Sequence, residues 1–183
     1  MNTLMRLTGV IGILLLAESC VPSYQPLYTG KNLTVDSRLL GRWSEADGKE
    51  IWTFEQVGHA GHVAYDVTYS DGGPPAKFEG HLVRLGKFLF LDLYPEPAKF
   101  GNEVYGGHFL RMHTFARIWL DGGFRFSALD PDWLDKHAAK IGIAHLRRGD
   151  ELILTASTAE LQNFMLAHAE NPAAFHPVEM HRR

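Results

Sequence analysis

The sequence predicts a mainly β fold, an antiparallel meander β-barrel of about 8–9 strands with one short helix before the last hairpin and a C-terminal helix. Short apolar runs separated by turn residues recur from residue 42 onward, which is typical of barrels and sandwiches. In one run, Val63, Tyr65, Val67 and Tyr69 alternate with smaller or polar residues, as in a strand with one buried face. Strong helix signals appear only after residue 129.

Composition places the chain among ordinary globular proteins. Hydrophobic residues make up 45% and charged residues 21% of the 183 residues, which excludes a largely disordered chain. The formal net charge is −3, and Lys and Arg are scattered, so we expect no nucleic-acid partner. The chain has 1 cysteine, which excludes an intramolecular disulfide.

Residues 1–19 have the pattern of a signal peptide. Arg6 supplies a positive start, and the apolar run from Leu7 to Ala17 follows it before Glu18 interrupts the run. A membrane-spanning helix needs about 20 apolar residues, so this run is too short to be one. We therefore expect export and cleavage directly before Cys20.

The segment from Leu15 to Cys20 resembles the lipobox of bacterial lipoproteins, with a small Ser19 before the cysteine. This resemblance implies that Cys20 carries a lipid with fatty acyl chains such as palmitate, which anchors the protein to a membrane of the bacterial cell envelope. No Asp follows Cys20, which favours the outer membrane, facing the periplasm. The alternative is ordinary secretion, because Ala17 and Ser19 also fit the small-x-small cleavage rule.

The remaining elements follow in order along the chain. Residues 20–35 form the predicted lipidated N-terminus and an extended tether, and Asp36 is expected to cap one helical turn. The domain is expected to cover residues 36–176, and residues 177–183 lie outside it. The polar tail that begins at Phe175 is expected to fray. The predicted strands are 42–45, 50–55, 63–69, 77–85, 87–94, 108–120 (one long strand or two joined ones), 124–129, 141–147 and 151–155.

Two helices have clear local signals. Asp130 followed by Pro131 predicts a helix that runs to about Lys140. Ser157 and Glu160 form a capping box, which predicts the start of a C-terminal helix that ends before Pro172.

At Gly41-Arg42-Trp43, preceded by the expected helical turn, the chain resembles the opening of lipocalins. This resemblance implies a calycin-like barrel in which Gly41 permits a tight turn and Trp43 plugs the closed end. It also implies an Arg that stacks on Trp43; no Arg lies on the strand directly before the final helix, and Arg147, one strand earlier, is the candidate. The family's middle loop motif is matched only loosely, by residues 129–132.

A barrel of this size is either filled by side chains or holds one small ligand, and the sequence leaves both possibilities open. Strand alternation gives a set of residues expected to line the interior. These are Trp52, Phe54, Tyr65, Val67, Phe88, Phe90 and Trp119.

The histidines and arginines offer further candidate sites. His59 and His62 have a spacing suited to a metal, but their glycine-rich surroundings favour a solvated hairpin tip. A barrel is able to bring together some of His81, His108, His113, Asp92 and Glu103. Arg111, Arg117 and Arg125 suit a carboxylate or phosphate head group, although surface strand residues are the commoner explanation.

The sequence contains no catalytic motif of the kinds that are recognisable from sequence, such as a nucleophile elbow or a phosphate loop. We therefore expect no enzyme, no cofactor and no metal. The leading hypothesis is a lipid-anchored envelope protein that binds a small apolar or amphipathic ligand in a lipocalin-like barrel. The alternative is a non-enzymatic interaction module with a filled barrel that docks another envelope protein.

Overall fold

The computed structural model describes residues 20–59 and 62–183, so the predicted leader lies outside the described residues. The fold is mainly β, as predicted. The strands are β1 Pro22–Ser23, β2 Leu33–Thr34, β3 Gly41–Ser44, β4 Ile51–His59, β5 His62–Ser70, β6 Ala76–Leu85, β7 Phe88–Pro95, β8 His113–Trp119, β9 Phe124–Ala128, β10 His145–Arg148, β11 Glu151–Leu154 and β12 Val178–Arg182. The helices are a 3-10 turn at Ser37–Leu39, α1 Glu103–Gly106, α2 Pro131–Ile141 and α3 Thr158–His168.

Eight antiparallel strands close into a barrel. Strands β3 to β9 form a continuous meander, and β12 pairs with both β9 and β3 to close the ring. The expectation that the polar tail frays is therefore wrong. The backbone of β12 pairs with the edges of two strands, β3 and β9. Of its side chains only Met180 is buried, so the sequence of β12 is mostly polar although its backbone is paired.

Two apolar clusters lie on opposite sides of the barrel wall. The inner cluster collects side chains from all eight barrel strands and from the 3-10 turn. Its buried members are Leu39, Trp43, Phe54, Tyr65, Val67, Leu82, Leu89, Leu91, Leu93, Ile118, Leu120, Phe124 and Met180. The outer cluster joins the outward faces of β6, β7 and β8 to β11, α2 and α3, and includes Val83, Leu85, Phe90, Phe115, Leu134, Leu154, Leu161, Phe164 and Met165.

The barrel has two distinct ends. At the closed end, the 3-10 turn lies against the start of β3, and the Trp43 indole N–H donates to the Leu39 carbonyl at 2.8 Å. The Tyr65 hydroxyl accepts the Asp36 N–H at 2.7 Å and donates to the Asp36 carbonyl at 3.1 Å, which fixes the turn on the barrel. At the other end, called the mouth below, β5 ends at Ser70, β7 ends at Pro95 and β8 begins at His113.

Both predicted helices are confirmed, and both pack on the outside of the barrel. Asp130 accepts the Trp133 N–H at 2.6 Å at the start of α2. Ser157 and Glu160 form the expected capping box of α3. The predicted long strand over 108–120 is too long, because β8 begins only at His113 and the short helix α1 lies in the preceding connection.

The N-terminal segment does not form a free tether. Strand β1 pairs with β8 and β11, and both Val21 and Leu27 are buried. The Leu27 N–H donates to the Asp92 carboxylate at 2.7 Å. The segment is extended, as its prolines predict, but it is an integral part of the outer layer.

Candidate functional site

The barrel interior receives only part of the predicted lining. Phe54, Tyr65 and Val67 are buried in the inner cluster, and Trp52 packs against it. The expectation is wrong for Phe88, Phe90 and Trp119, which belong to the outer cluster or pack against it. On β7 and β8 the inward residues are their neighbours, such as Leu89 and Ile118, because side chains of a strand alternate between its faces. Both faces of β7 and β8 carry large apolar side chains, so alternation did not reveal which face is inside.

Side chains pack closely at one point of the barrel interior. A Cβ atom added at Gly80 on β6 would lie 2.6 Å from the Val67 Cγ2, so a methyl group does not fit there without a shift of Val67. Among the described residues, one cavity lies beside Cys20 and another beside Arg117, and the second is lined in part by Leu89, Ile118 and Leu120 of the inner cluster.

Aromatic rings stand at the mouth. Trp52 contacts Tyr69 at a ring-centroid distance of 4.8 Å, Phe126 at 5.5 Å and Phe78 at 6.5 Å, and all four side chains are partly exposed. Burial, together with the negative charge of Glu50, raises the pKa of Tyr69 to about 12. The four rings therefore form an aromatic surface at the mouth, and the acidic Glu50 lies beside it.

At the closed end an arginine does cover Trp43, but it is not the predicted one. The Arg182 guanidinium lies 5.0 Å from the Trp43 ring centroid and donates to the Leu40 carbonyl at 2.8 Å. Arg147 instead forms an ion pair with Asp135 on α2. Arg182 was missed because it lies on β12, within the residues expected to fray. Its place opposite β3 makes the closed end compatible with a lipocalin-like fold.

Two of the candidate histidines meet on the outer wall, around the ring of Tyr28. The Tyr28 ring stacks on His81 at 4.1 Å and meets His113 edge-on at 6.4 Å. Asp92 is fully buried, and its second carboxylate oxygen lies 2.7 Å from the His113 Nδ1. Burial, together with the charges of Asp92 and Glu79, raises the pKa of Tyr28. With Asp92 also binding the Leu27 N–H, this group fastens the N-terminal segment to the barrel.

The remaining histidine candidates are His108 and the pair His59 and His62. His108 is exposed in the connection between β7 and β8, and the side chains of His59, His62 and Glu103 lie outside the described residues. Within the part of the chain that the structure describes, no group of three or more His, Cys, Asp or Glu side chains is arranged to hold a metal ion.

Arg117 lines a cleft at the closed end, which we call the Arg117 cleft. The cleft has a volume of about 360 Å³. Only 9% of Arg117 is exposed, and its guanidinium lies over the rings of Phe88 at 4.6 Å and Trp119 at 4.3 Å. Two of the residues predicted to line the barrel interior, Phe88 and Trp119, thus line a cavity at the closed end from the outer face of their strands. The cleft is completed by Arg38, Lys87, Leu89, Ile118, Leu120, Asp121 and Glu170.

Cys20 is exposed and lies near the mouth. It precedes β1 by two residues, so its Cα lies within about 7 Å of Pro22, which pairs with Thr114 at the start of β8. It lines a surface cavity of about 340 Å³ between the start of α2 and the β10–β11 turn.

Residues 96–112, called the lobe below, leave and re-enter the barrel at the mouth. Phe100 stacks on Phe109 at 4.6 Å, and Tyr105 meets Phe109 edge-on at 5.0 Å, so these rings pack on one another rather than on either core. Val104 is 78% exposed and Leu110 71% exposed. The sequence predicted a strand over part of the lobe, and this surface was missed. The apolar residues of the lobe show no strand alternation and are spaced among glycines and polar residues.

None of the helices among the described residues is long and apolar enough to cross a bilayer. No protein-family model matches the chain, and no curated protein or solved structure matches it significantly. The fold and the geometry of the sites therefore carry the functional argument.

Proposed function

We propose that this chain is a lipid-anchored protein of the bacterial cell envelope, attached to the outer membrane through Cys20, and that its filled barrel acts as a non-enzymatic interaction module. The observation that carries the proposal is the position of the lobe. Its exposed apolar side chains and the exposed Cys20 lie at the same end of the barrel. A lipid on Cys20 brings that end to a bilayer surface.

The composition of the lobe suits the interfacial region of a membrane. Tyr105 has an apolar ring with a polar tip, and the exposed Val104 and Leu110 are available for burial among acyl chains. Arg111 donates to the Pro95 carbonyl at 3.1 Å and lies over the Tyr94 ring at 4.5 Å, which holds the base of the lobe. Each apolar side chain that becomes fully buried in the bilayer contributes about 1.5–3 kcal/mol.

Metabolic labelling tests the anchor. Cells that express the full chain are grown with a clickable palmitate analogue, and the protein is recovered and probed for the label. We expect label on the unsubstituted chain and none on Cys20→Ser. Label of equal intensity on the Cys20→Ser chain contradicts lipid attachment at this residue.

Vesicle flotation of the Cys20→Ser chain tests the lobe separately, because this variant has no lipid attachment site. The double variant Val104→Ser and Leu110→Ser should float less with vesicles of outer-membrane phospholipids than the parent. Val35→Ser is the matched control, since Val35 is also exposed but lies outside the lobe. Equal flotation of the parent and the double variant contradicts membrane contact by the lobe.

Binding of a small apolar or amphipathic ligand in the barrel is the second candidate function. It is favoured by the partly exposed rings of Trp52, Tyr69, Phe78 and Phe126 at the mouth. Native mass spectrometry after incubation with a lipid extract tests it. An added ligand mass on the unsubstituted chain that is absent from Trp52→Ala supports ligand binding at the mouth. The mass of the protein alone favours the interaction module with a filled barrel.

A further inference from the structure

The Arg117 cleft combines a buried positive charge with two aromatic walls. Arg117 projects from the outer face of β8, where Phe115 belongs to the outer cluster. Its guanidinium is held between Phe88 of β7 and Trp119 of β8, at the distances given above. These contacts fix the plane of the guanidinium but supply no hydrogen-bond acceptor.

The charge of Arg117 is not neutralised by a direct partner. Its Nε is buried, and no described residue accepts a hydrogen bond from it. The two acids of the cleft are engaged elsewhere: Glu170 binds the Lys87 ammonium at 2.7 Å, and Asp121 binds the Arg125 guanidinium at 3.2 Å. Burial lowers the pKa of Arg117, but a guanidinium remains protonated at neutral pH.

A buried charge without a direct partner is unfavourable, and an anion that enters the cleft relieves this cost. The fork of guanidinium N–H groups matches the two oxygens of a carboxylate or phosphate. Lys87 and Arg38 line the rim, each in an ion pair with an acid, whereas Phe88, Trp119 and their aliphatic neighbours offer an apolar wall. The volume of about 360 Å³ is near the lower limit of small-molecule sites.

We propose that the Arg117 cleft binds a small amphipathic anion, one carboxylate or phosphate head group on a short apolar body. The head group contacts the Arg117 guanidinium, and the body lies against Phe88 and Trp119. This site lies at the closed end of the barrel, where Leu89, Ile118 and Leu120 of the inner cluster also line the cleft. The proposal does not depend on lipid attachment at Cys20.

Binding is measured by the fluorescence of the purified full chain titrated with decanoate below its micellar concentration. We expect saturation with a half-point at or below about 1 mM. Inorganic phosphate and decanol, which carry only the anionic or only the apolar part, should bind at least about tenfold more weakly. If decanol binds as tightly as decanoate, the charge has no role, and if phosphate binds as tightly as decanoate, the apolar wall has no role. Either result overturns the proposal.

Arg117→Gln should weaken decanoate binding at least about tenfold, whereas Arg147→Gln should leave it unchanged. Arg147 is the matched control, because it is a half-exposed arginine paired with Asp135 and does not line the cleft. If Arg117→Gln does not fold, amide shifts of the unsubstituted protein decide the question. Shifts confined to residues 87–89 and 117–121 support the cleft, and shifts centred on the mouth overturn it.

Discussion

Replacement of Arg182 by Ala tests whether the C-terminal strand closes the barrel over Trp43. The substitution removes two interactions that the structure gives this side chain, the stacking at 5.0 Å on the indole and the hydrogen bond to the Leu40 carbonyl. An exposed cation–π contact contributes about 0.5–1 kcal/mol, and a hydrogen bond about 0.5–1.5 kcal/mol net. The free energy of unfolding should therefore fall by about 1–2.5 kcal/mol, which lowers the melting temperature by about 2–10 °C.

Urea unfolding followed by tryptophan fluorescence and by circular dichroism measures this loss. Arg147→Ala is the matched control, because Arg147 forms a half-exposed ion pair with Asp135, and such pairs contribute at most about 1 kcal/mol. Arg182→Lys should fall between Arg182→Ala and the unsubstituted chain, since it keeps the charge but loses the planar fork. A loss in Arg182→Ala no larger than that in Arg147→Ala refutes the assignment of Arg182 to the closed end.

Three further substitutions test the barrel and the outer layer. Tyr65→Phe should lower the free energy of unfolding by about 1–3 kcal/mol in urea, because Asp36 loses both hydrogen bonds to the hydroxyl; a loss below about 0.5 kcal/mol contradicts this. Gly80→Ala should cost about 1–3 kcal/mol in thermal melts through its clash with Val67, and an unchanged melting temperature indicates unfilled space. Burial lowers the pKa of His168, so the unfolded chain binds more protons than the folded one and the free energy of unfolding falls as the pH drops below about 6.5. His168→Gln should reduce this fall between pH 7 and pH 5. An unchanged dependence of the free energy of unfolding on pH contradicts the role of His168.

Sequence reasoning succeeded where the signal is local. The start of α2 depends on Asp130 and Pro131, and the start of α3 depends on Ser157 and Glu160, so a few adjacent residues predict each helix. The same holds for β5, whose alternating side chains predict one buried face. These signals required no knowledge of the rest of the fold.

Sequence reasoning failed where a distant element decides the outcome. Strand β12 has little apolar content of its own, and it is ordered because β3 and β9 lie open on either side of it. The carbonyl that Arg182 binds is 142 residues away in sequence. Both faces of β7 carry large apolar side chains, such as Phe90 in the outer cluster and Leu91 in the inner cluster, so the inward face is decided by packing that alternation does not contain.

The two proposed contact surfaces lie at opposite ends of β8, and this separation has a functional consequence. The lobe joins β8 at His113, whereas the Arg117 cleft is formed around Trp119. A strand of this length spans about 20 Å, so a barrel held at a bilayer through the mouth keeps the cleft away from the surface and in the aqueous phase. An amphipathic anion then reaches the cleft from the aqueous phase, where its affinity has to exceed that of a simple ion pair, which contributes at most about 1 kcal/mol. The aromatic walls around Arg117 supply that difference, since they bury the apolar body at the same time as the guanidinium receives the head group.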